Sequence, residues 1–246
     1  MMMVTMSKLL KNLSKSAGLA LSLSLLGAGV PAMAAPPPVT ANGITTQTAA
    51  ASDVFPGYKA FLNMPAAQRS QVNLYYALRI KRTDPSKVHV TLTHAGKTTP
   101  IQIGAGGRLS PLPTREQLNS GATIKISGPE GAGVGIKIHP YSTQPNSQTY
   151  DAAGLATGIK QGNVATSQIA GPLALMLPKL DRVYFIGGGN GEVEFANGQK
   201  KPLPRTAQAG EYPAGTPYFV PSQMAGATHI KLSAIPSIAH FDTPPK

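Results

Sequence analysis

Cysteine and tryptophan are both absent from this chain of 246 residues. Without cysteine the protein can form no disulfide, no thiolate metal site and no thiol nucleophile, which excludes thiol catalysis. In an oxidising compartment its stability would therefore come from packing alone. The two absences also remove the paired cysteines and the buried tryptophan by which antibody-type immunoglobulin domains are recognised in a sequence.

Acidic residues are scarce, at 10 Asp and Glu against 22 Lys and Arg, for a formal net charge of +12. The excess is concentrated between Asp53 and Thr143, with 11 basic and 4 acidic residues, whereas the segment from Tyr150 to Lys246 has 8 and 6. Such a basic region would be attracted to phosphate-bearing lipids, anionic glycans or nucleic acid. No run of five or more like charges concentrates this field, so ordinary solubility is the competing interpretation.

The first residues have the pattern of a secretory signal peptide. Lys8, Lys11 and Lys15 precede an apolar run over 17–30, and Ala32-Met33-Ala34 supplies small residues two apart. We predict cleavage after Ala34, which would leave 212 residues with a net charge of +9 in a bacterial periplasm or outside the cell. No transmembrane anchor is expected after cleavage, because no longer apolar stretch follows. An uncleaved anchor is the alternative.

The next segment, 35–53, is predicted to be a flexible linker. Pro36-Pro37-Pro38 and the Thr-, Ala- and Gln-rich residues after them lack periodic apolar positions. Such a composition has too little apolar surface to offset the entropy of ordering. Short helical segments are predicted from about Val54, because Tyr58 and Phe61 fall on one side of a helix.

Alternating apolar and polar residues predict several short strands. The clearest runs from Val72 to Lys81, and a second follows the turn residues Asp84-Pro85. Many short strands, each with one apolar face, predict antiparallel sheets folded into sandwiches. The predicted fold class is therefore mainly β, with two related antiparallel β-sandwich (immunoglobulin-like) modules and short helical segments before each.

An internal repeat is the reason for predicting two modules. Gly107–Pro113 followed by Gly121–Ser127 resembles Gly198–Pro204 followed by Gly226–Ser233. Turn formers and alternating positions dominate both copies, which favours duplicated architecture over a repeated functional motif. The predicted organisation is a signal peptide at 1–34, a linker at 35–53, a first module at 54–143, a helical connector at 144–178 and a second module at 179–246.

The helical connector and one hairpin have clear local signals. Asp151 is a candidate N-cap, and Leu155 and Ile159 follow at helical spacing. In the second module Asn197-Gly198 predicts a tight hairpin, because both central residues of a type I′ turn need positive φ. His229 is the one residue by which the second repeat exceeds the first, and it predicts a β-bulge.

Motifs for cofactors and nucleophiles are incomplete, and no cofactor or metal is expected. Gly96-Lys97-Thr98-Thr99 lacks the earlier glycine and the following helix of a phosphate loop. Neither Ser110 nor Ser127 lies in a nucleophile elbow. Metal binding by His229 and His240 is a minor hypothesis, since no pair of histidines has close ligand spacing with acids nearby.

Glu192 and Glu194 are the candidate residues for the competing function. They lie two apart and share one face of a strand, a pairing that can shift a carboxylate pKa. A hydrolase acting on envelope glycan would use such acids, although glycosidase carboxylates usually come from separate elements. A solvated hairpin face explains them equally well.

Basic residues on predicted strands form the favoured site. Arg79, Lys81, Lys125 and Lys137 each alternate with apolar positions, and Tyr75 shares a face with Arg79. The ordered aromatic motif of an RNA-recognition sheet is missing, so nucleic acid is not favoured. We predict an exported binding or scaffolding protein of the cell envelope, with no catalytic residues assigned. It would contact an anionic polymer or an acidic protein through its basic first module.

Overall fold

A computed structural model describes residues 39–41 and 43–244. The described chain is mainly β, with three antiparallel sheets and helices that are short apart from one of 19 residues. The predicted signal peptide and residues 35–38 of the predicted linker lie outside the described residues. The mainly β fold class is confirmed.

The described residues form the following strands and helices, in chain order within each class. The strands are β1 (Val39–Ala41), β2 (Ile44–Ala50), β3 (Val72–Lys81), β4 (His89–His94), β5 (Lys97–Ile103), β6 (Leu109–Ser110), β7 (Thr123–Pro129), β8 (Gly133–Ser142), β9 (Thr149–Asp151), β10 (Arg182–Ile186), β11 (Gly191–Phe195), β12 (Lys200–Pro202), β13 (Tyr218–Phe219), β14 (Ala227–Leu232) and β15 (Ile238–Asp242). The α-helices are α1 (Ala51–Val54), α2 (Tyr58–Asn63), α3 (Arg115–Asn119) and α4 (Ala152–Ala170). The 3-10 turns within residues 43–244 are Ala66–Arg69, Pro85–Lys87, Ala105–Gly107, Gly171–Met176 and Pro221–Gln223.

The described residues divide into two compact units. Unit I comprises residues 39–62 and 75–138, and unit II comprises residues 63–74 and 139–244. The sheets have the strand orders β1-β2-β7-β4-β5-β6, β13-β10-β15-β8-β3 and β12-β11-β14-β9. The chain passes from one unit to the other at the end of α2, within β3 and again within β8.

The six-stranded sheet of unit I has β7 between β2 and β4. Ile124 on β7 is fully buried, and Leu92 lies opposite it on β4 with 5% exposure. Alternation of buried and exposed residues along β7 gives the sheet one apolar face, as the sequence predicts. Close by, Tyr76 Oη donates a hydrogen bond to the Pro56 carbonyl, and burial raises the pKa of this tyrosine.

The predicted flexible linker is wrong for most of its described part. β2 pairs with β7 along its whole length, from Ile44 opposite Pro129 to Ala50 opposite Thr123. Thr45 is buried although it is polar. Threonine is β-branched and favours a strand, and the ladder hydrogen bonds satisfy the backbone without an apolar run. Low hydrophobicity therefore does not exclude an ordered strand in this segment.

Helix α4 supports the sheets of unit II. The Asp151 carboxylate accepts a hydrogen bond from Gly154 N at 2.6 Å, which confirms the predicted N-cap. Leu155 is fully buried, as its helical spacing predicts. A Cβ atom added to Gly158 would lie 2.4 Å from Phe241 Cζ, so glycine lets the helix approach strand β15 closely.

The two repeated stretches share their turn geometry but differ in strand pairing. Gly107 and Gly198 have φ of 80° and 78°, and Gly121 and Gly226 have φ of 78° and 81°. In unit I, β7 pairs with β4, which is joined to β5 by a hairpin. In unit II, β14 pairs with β11, the counterpart of β5, while β10 lies in a different sheet. The likeness therefore does not extend to the same topology.

The predicted hairpin and bulge are both present in unit II. β11 and β12 form an antiparallel pair joined through Ala196, Asn197 and Gly198, with Gly198 N donating to the Phe195 carbonyl. The hairpin is therefore present, but the predicted type I′ turn is wrong: Gly198 has a φ of 78°, whereas Asn197 does not have a positive φ, and Gly198 follows the two central residues of the turn. On β14 the register shifts, because His229 lies opposite Glu194 whereas Ala227 lies opposite Phe195. The extra residue of the bulge is therefore next to His229.

Candidate functional site

The structure brings some of the predicted basic residues onto neighbouring strands. Arg79 and Lys81 are exposed on β3, and Lys137 lies on the adjacent strand β8. Tyr75 is half-buried on β3, with the Arg108 guanidinium carbon 5.1 Å from its ring centroid.

Two of the predicted cations are placed differently from the others. Lys125 is exposed on β7, which belongs to the six-stranded sheet and does not adjoin β3 or β8. The Nζ atom of Lys137 is buried. Arg79 and Lys81 are therefore the cations that β3 and β8 present to solvent from the predicted set. Because they are two residues apart on one strand, they project from the same face.

The basic charge excess also lies in the unit that carries Arg79 and Lys81. Unit I has 10 Lys and Arg against 4 Asp and Glu, whereas unit II has 8 against 6. The net charge is thus +6 in unit I and +2 in unit II. An imbalance of this kind produces a positive potential that attracts anionic ligands over several ångströms.

Glu192 and Glu194 are engaged by lysines across the sheet of unit II. Lys200 Nζ lies 3.0 Å from Glu192 Oε1, and Lys231 Nζ lies 2.9 Å from Glu194 Oε2. The hydrogen bond from Lys231 lowers the pKa of Glu194, and the hydrogen bond to Glu192 raises the pKa of Lys200. A carboxyl group with a lowered pKa is a poor proton donor near neutral pH. The arrangement is that of cross-strand ion pairs.

A surface groove of about 430 Å³ lies beside these ion pairs. Its charged lining residues are Glu192, Lys200, Lys201 and Lys231. Two of the three lysines are already held by Glu192 and Glu194, so the local charge is largely balanced. The groove therefore attracts an anion less strongly than its lysine content suggests.

A buried polar cluster in unit II was not predicted from the sequence. It consists of His139 on β8, His240 and Asp242 on β15, and Tyr212 in the segment between β12 and β13. Their exposed fractions are 8%, 2%, 4% and 7% in that order. Four polar side chains this deeply buried must satisfy one another's hydrogen-bonding groups.

The cluster forms one directional hydrogen-bonded chain. Tyr212 Oη donates to Asp242 Oδ2 and lies 2.6 Å from His240 Nδ1, so it accepts from that nitrogen. His240 Nε2 lies 3.1 Å from His139 Nδ1. With neutral rings, His139 Nδ1–H therefore donates to His240 Nε2. Asp242 Oδ1 also accepts from Thr243 N at 2.7 Å.

Aromatic and charged neighbours enclose this cluster. The rings of Tyr184 and Tyr212 stack with centroids 4.0 Å apart and an interplanar angle of 18°. Burial raises the pKa of Tyr184, and the two hydrogen bonds to Asp181 raise the pKa of Arg182. Burial raises the pKa of the Asp242 carboxyl, but the hydrogen bonds that it accepts, those from Tyr212 and Thr243 among them, outweigh burial and hold this pKa below its usual value. We expect this hydrogen-bonded network to stabilise unit II.

The histidines considered in the sequence are not brought together as a metal site. His229 is exposed on β14, while His240 is buried on β15 in another sheet. Across residues 39–41 and 43–244, no group of three or more His, Cys, Asp or Glu side chains is placed to hold a metal ion. A weak sequence signal for the buried cluster did exist, because His240 and Asp242 lie on one face of a strand whose other residues are apolar.

No protein-family model, curated protein or solved structure matches this chain. Within its described part, no helix has the length and apolar character needed to cross a membrane.

Proposed function

We propose that this is an exported, non-enzymatic binding or scaffolding protein of the bacterial cell envelope. Its ligand would be an anionic envelope polymer, or an acidic protein that presents the same charge. The observation that carries the proposal is the exposure of Arg79 and Lys81 on one face of β3 in the more basic unit.

Binding would use Arg79 and Lys81 as the direct contacts. Arginine can bind a carboxylate or phosphate through two parallel hydrogen bonds, while lysine acts as a point charge. Tyr75 lies four residues before Arg79 on β3. The Arg108 guanidinium lies over the Tyr75 ring and adds a further cation next to this strand. Neighbouring cations of this kind suit a repeating anionic chain better than a single small anion.

The proposal includes export and a finer description of the fold. Export rests on the basic, apolar and small-residue order of positions 1–34. N-terminal sequencing of the protein isolated from the periplasm should begin at Ala35. We also propose that residues 54–143 and 179–246 form two related immunoglobulin-like sandwich modules, supported by the antiparallel sheets and by the shared positive-φ glycines, with strand pairing that differs between the two repeats.

Paired charge substitutions test the binding site. Arg79→Gln/Lys81→Gln should weaken binding to heparin, used as the anionic polymer, and should flatten the dependence of affinity on salt. The matched control is Lys87→Gln/Lys97→Gln, which removes the same charge from exposed positions in unit I away from β3. Titration calorimetry at low and high salt measures both effects.

Three results would overturn the proposal. Equal losses in the two variants would show that net charge, and not this face, governs binding. Unchanged binding in both would remove β3 as a site. Turnover of envelope glycan that disappears in Glu194→Gln would show that the protein is a hydrolase.

A further inference from the structure

An exposed apolar turn follows helix α4 in unit II. Leu175 and Met176, at the end of the 3-10 turn Gly171–Met176, are 94% and 82% exposed. Among the described residues they are the two most exposed large apolar side chains, and they are adjacent. Single exposed apolar residues are common, but neighbouring ones at this exposure indicate a contact surface.

The charges around this turn are of one sign. From position 152 to position 180 the chain contains Lys160 and Lys179 but no Asp or Glu, and both lysines are exposed. The flanking acids are engaged elsewhere, because Asp151 caps α4 and Asp181 accepts two hydrogen bonds from Arg182. The turn therefore has an apolar tip, and the nearest charged residues on either side of it in the sequence, Lys160 and Lys179, are both cationic.

We propose that Leu175 and Met176 insert into the interfacial region of a membrane that contains anionic phospholipid. Their side chains would leave water for the boundary between headgroups and acyl chains, and Lys160 and Lys179 would face the phosphates. Attraction between lysines and anionic lipid acts only near the surface, so it complements a short apolar insertion. Leu175 and Met176 belong to unit II, whereas Arg79 and Lys81 of the proposed function belong to unit I.

The absence of tryptophan allows a local test. Leu175→Trp introduces the only indole of the chain, and Ile235→Trp places one at another exposed apolar residue of unit II as the control. Each variant is mixed with phosphatidylglycerol-containing vesicles or with phosphatidylcholine vesicles. Because the reporter is local, lipid contacts elsewhere in the chain do not produce its signal.

The proposal expects a specific set of outcomes. The emission of Leu175→Trp should shift to shorter wavelength with anionic vesicles and be quenched by brominated acyl chains, while that of Ile235→Trp stays unchanged. Adding Met176→Asp to Leu175→Trp should lower vesicle partitioning at least about tenfold, since burial of that side chain is lost. Adding Lys160→Gln/Lys179→Gln should remove the preference for anionic lipid.

Other outcomes would overturn it. Unchanged emission with both vesicle types, or equal shifts in both tryptophan variants, would show that the turn does not insert. A blue shift that grows with protein concentration in the absence of lipid would identify a second copy of the chain as the occupant. Adding Arg79→Gln/Lys81→Gln to Leu175→Trp should leave the lipid signal intact, which separates this test from that of the proposed function.

Discussion

Removing one hydroxyl group tests whether the buried polar cluster stabilises unit II. Tyr212→Phe keeps the ring that stacks on Tyr184 at 4.0 Å but removes the hydrogen bonds that link Tyr212 to Asp242 and His240. Leaving buried hydrogen-bonding groups without that partner should cost about 1–3 kcal/mol. Amide exchange in β15 should accelerate by a corresponding factor of roughly 5 to 150.

Tyr218→Phe is the matched control for this prediction. The ring centroid of Tyr218 lies 5.4 Å from that of Tyr184, and the Arg182 guanidinium lies over the Tyr218 ring. Both contacts depend on the ring and not on the hydroxyl group. The Tyr218→Phe variant should therefore differ from wild type in stability by no more than about 0.5 kcal/mol. Hydrogen–deuterium exchange measures both variants at neutral pH. Equal exchange rates for wild type and Tyr212→Phe would refute the stabilising role of the cluster.

Two further predictions concern packing and pH in unit II. Gly158→Ala should lower stability by about 1–3 kcal/mol, because the added Cβ meets Phe241. Gly210→Ala should be nearly neutral, because no atom lies within 4 Å of the added Cβ. Thermal unfolding compares the two variants, and equal melting temperatures would contradict the close approach of α4 to β15. The pKa of Glu194 is lowered on folding, so its ion pair with Lys231 stabilises the protein above the unfolded carboxyl pKa, and this contribution is lost as pH falls through the folded pKa. Lys231→Gln should reduce that acid sensitivity, and an identical pH profile would contradict the ion pair's role.

Features with local causes were predictable from the sequence. β3 has the predicted bounds from Val72 to Lys81, since apolar residues recur at every second position along it. Burial departs from this alternation at the centre of the strand, where Tyr76, Ala77 and Leu78 are all buried. Asp151 caps a helix, and Asn197-Gly198 turns a hairpin, because each depends on its own backbone conformation. These signals involve only residues close together in the chain.

Features that depend on distant pairing were not predictable. β2 is ordered by its ladder with β7, a partner about 80 residues away that its own polar composition does not indicate. The hydrogen bond between His139 and His240 joins residues 101 positions apart. For the same reason, the alternation pattern places Lys125 and Arg79 in one predicted binding site, although their strands belong to different sheets.

The central claim is that the exposed cations of β3 form the binding face. Hydrogen–deuterium exchange with and without heparin tests it directly, because bound polymer slows amide exchange at the residues it covers. We predict protection over 75–81 that disappears in Arg79→Gln/Lys81→Gln, with no change over 191–195 in β11. Protection confined to β11 and its neighbours, or none in either strand, would contradict the claim.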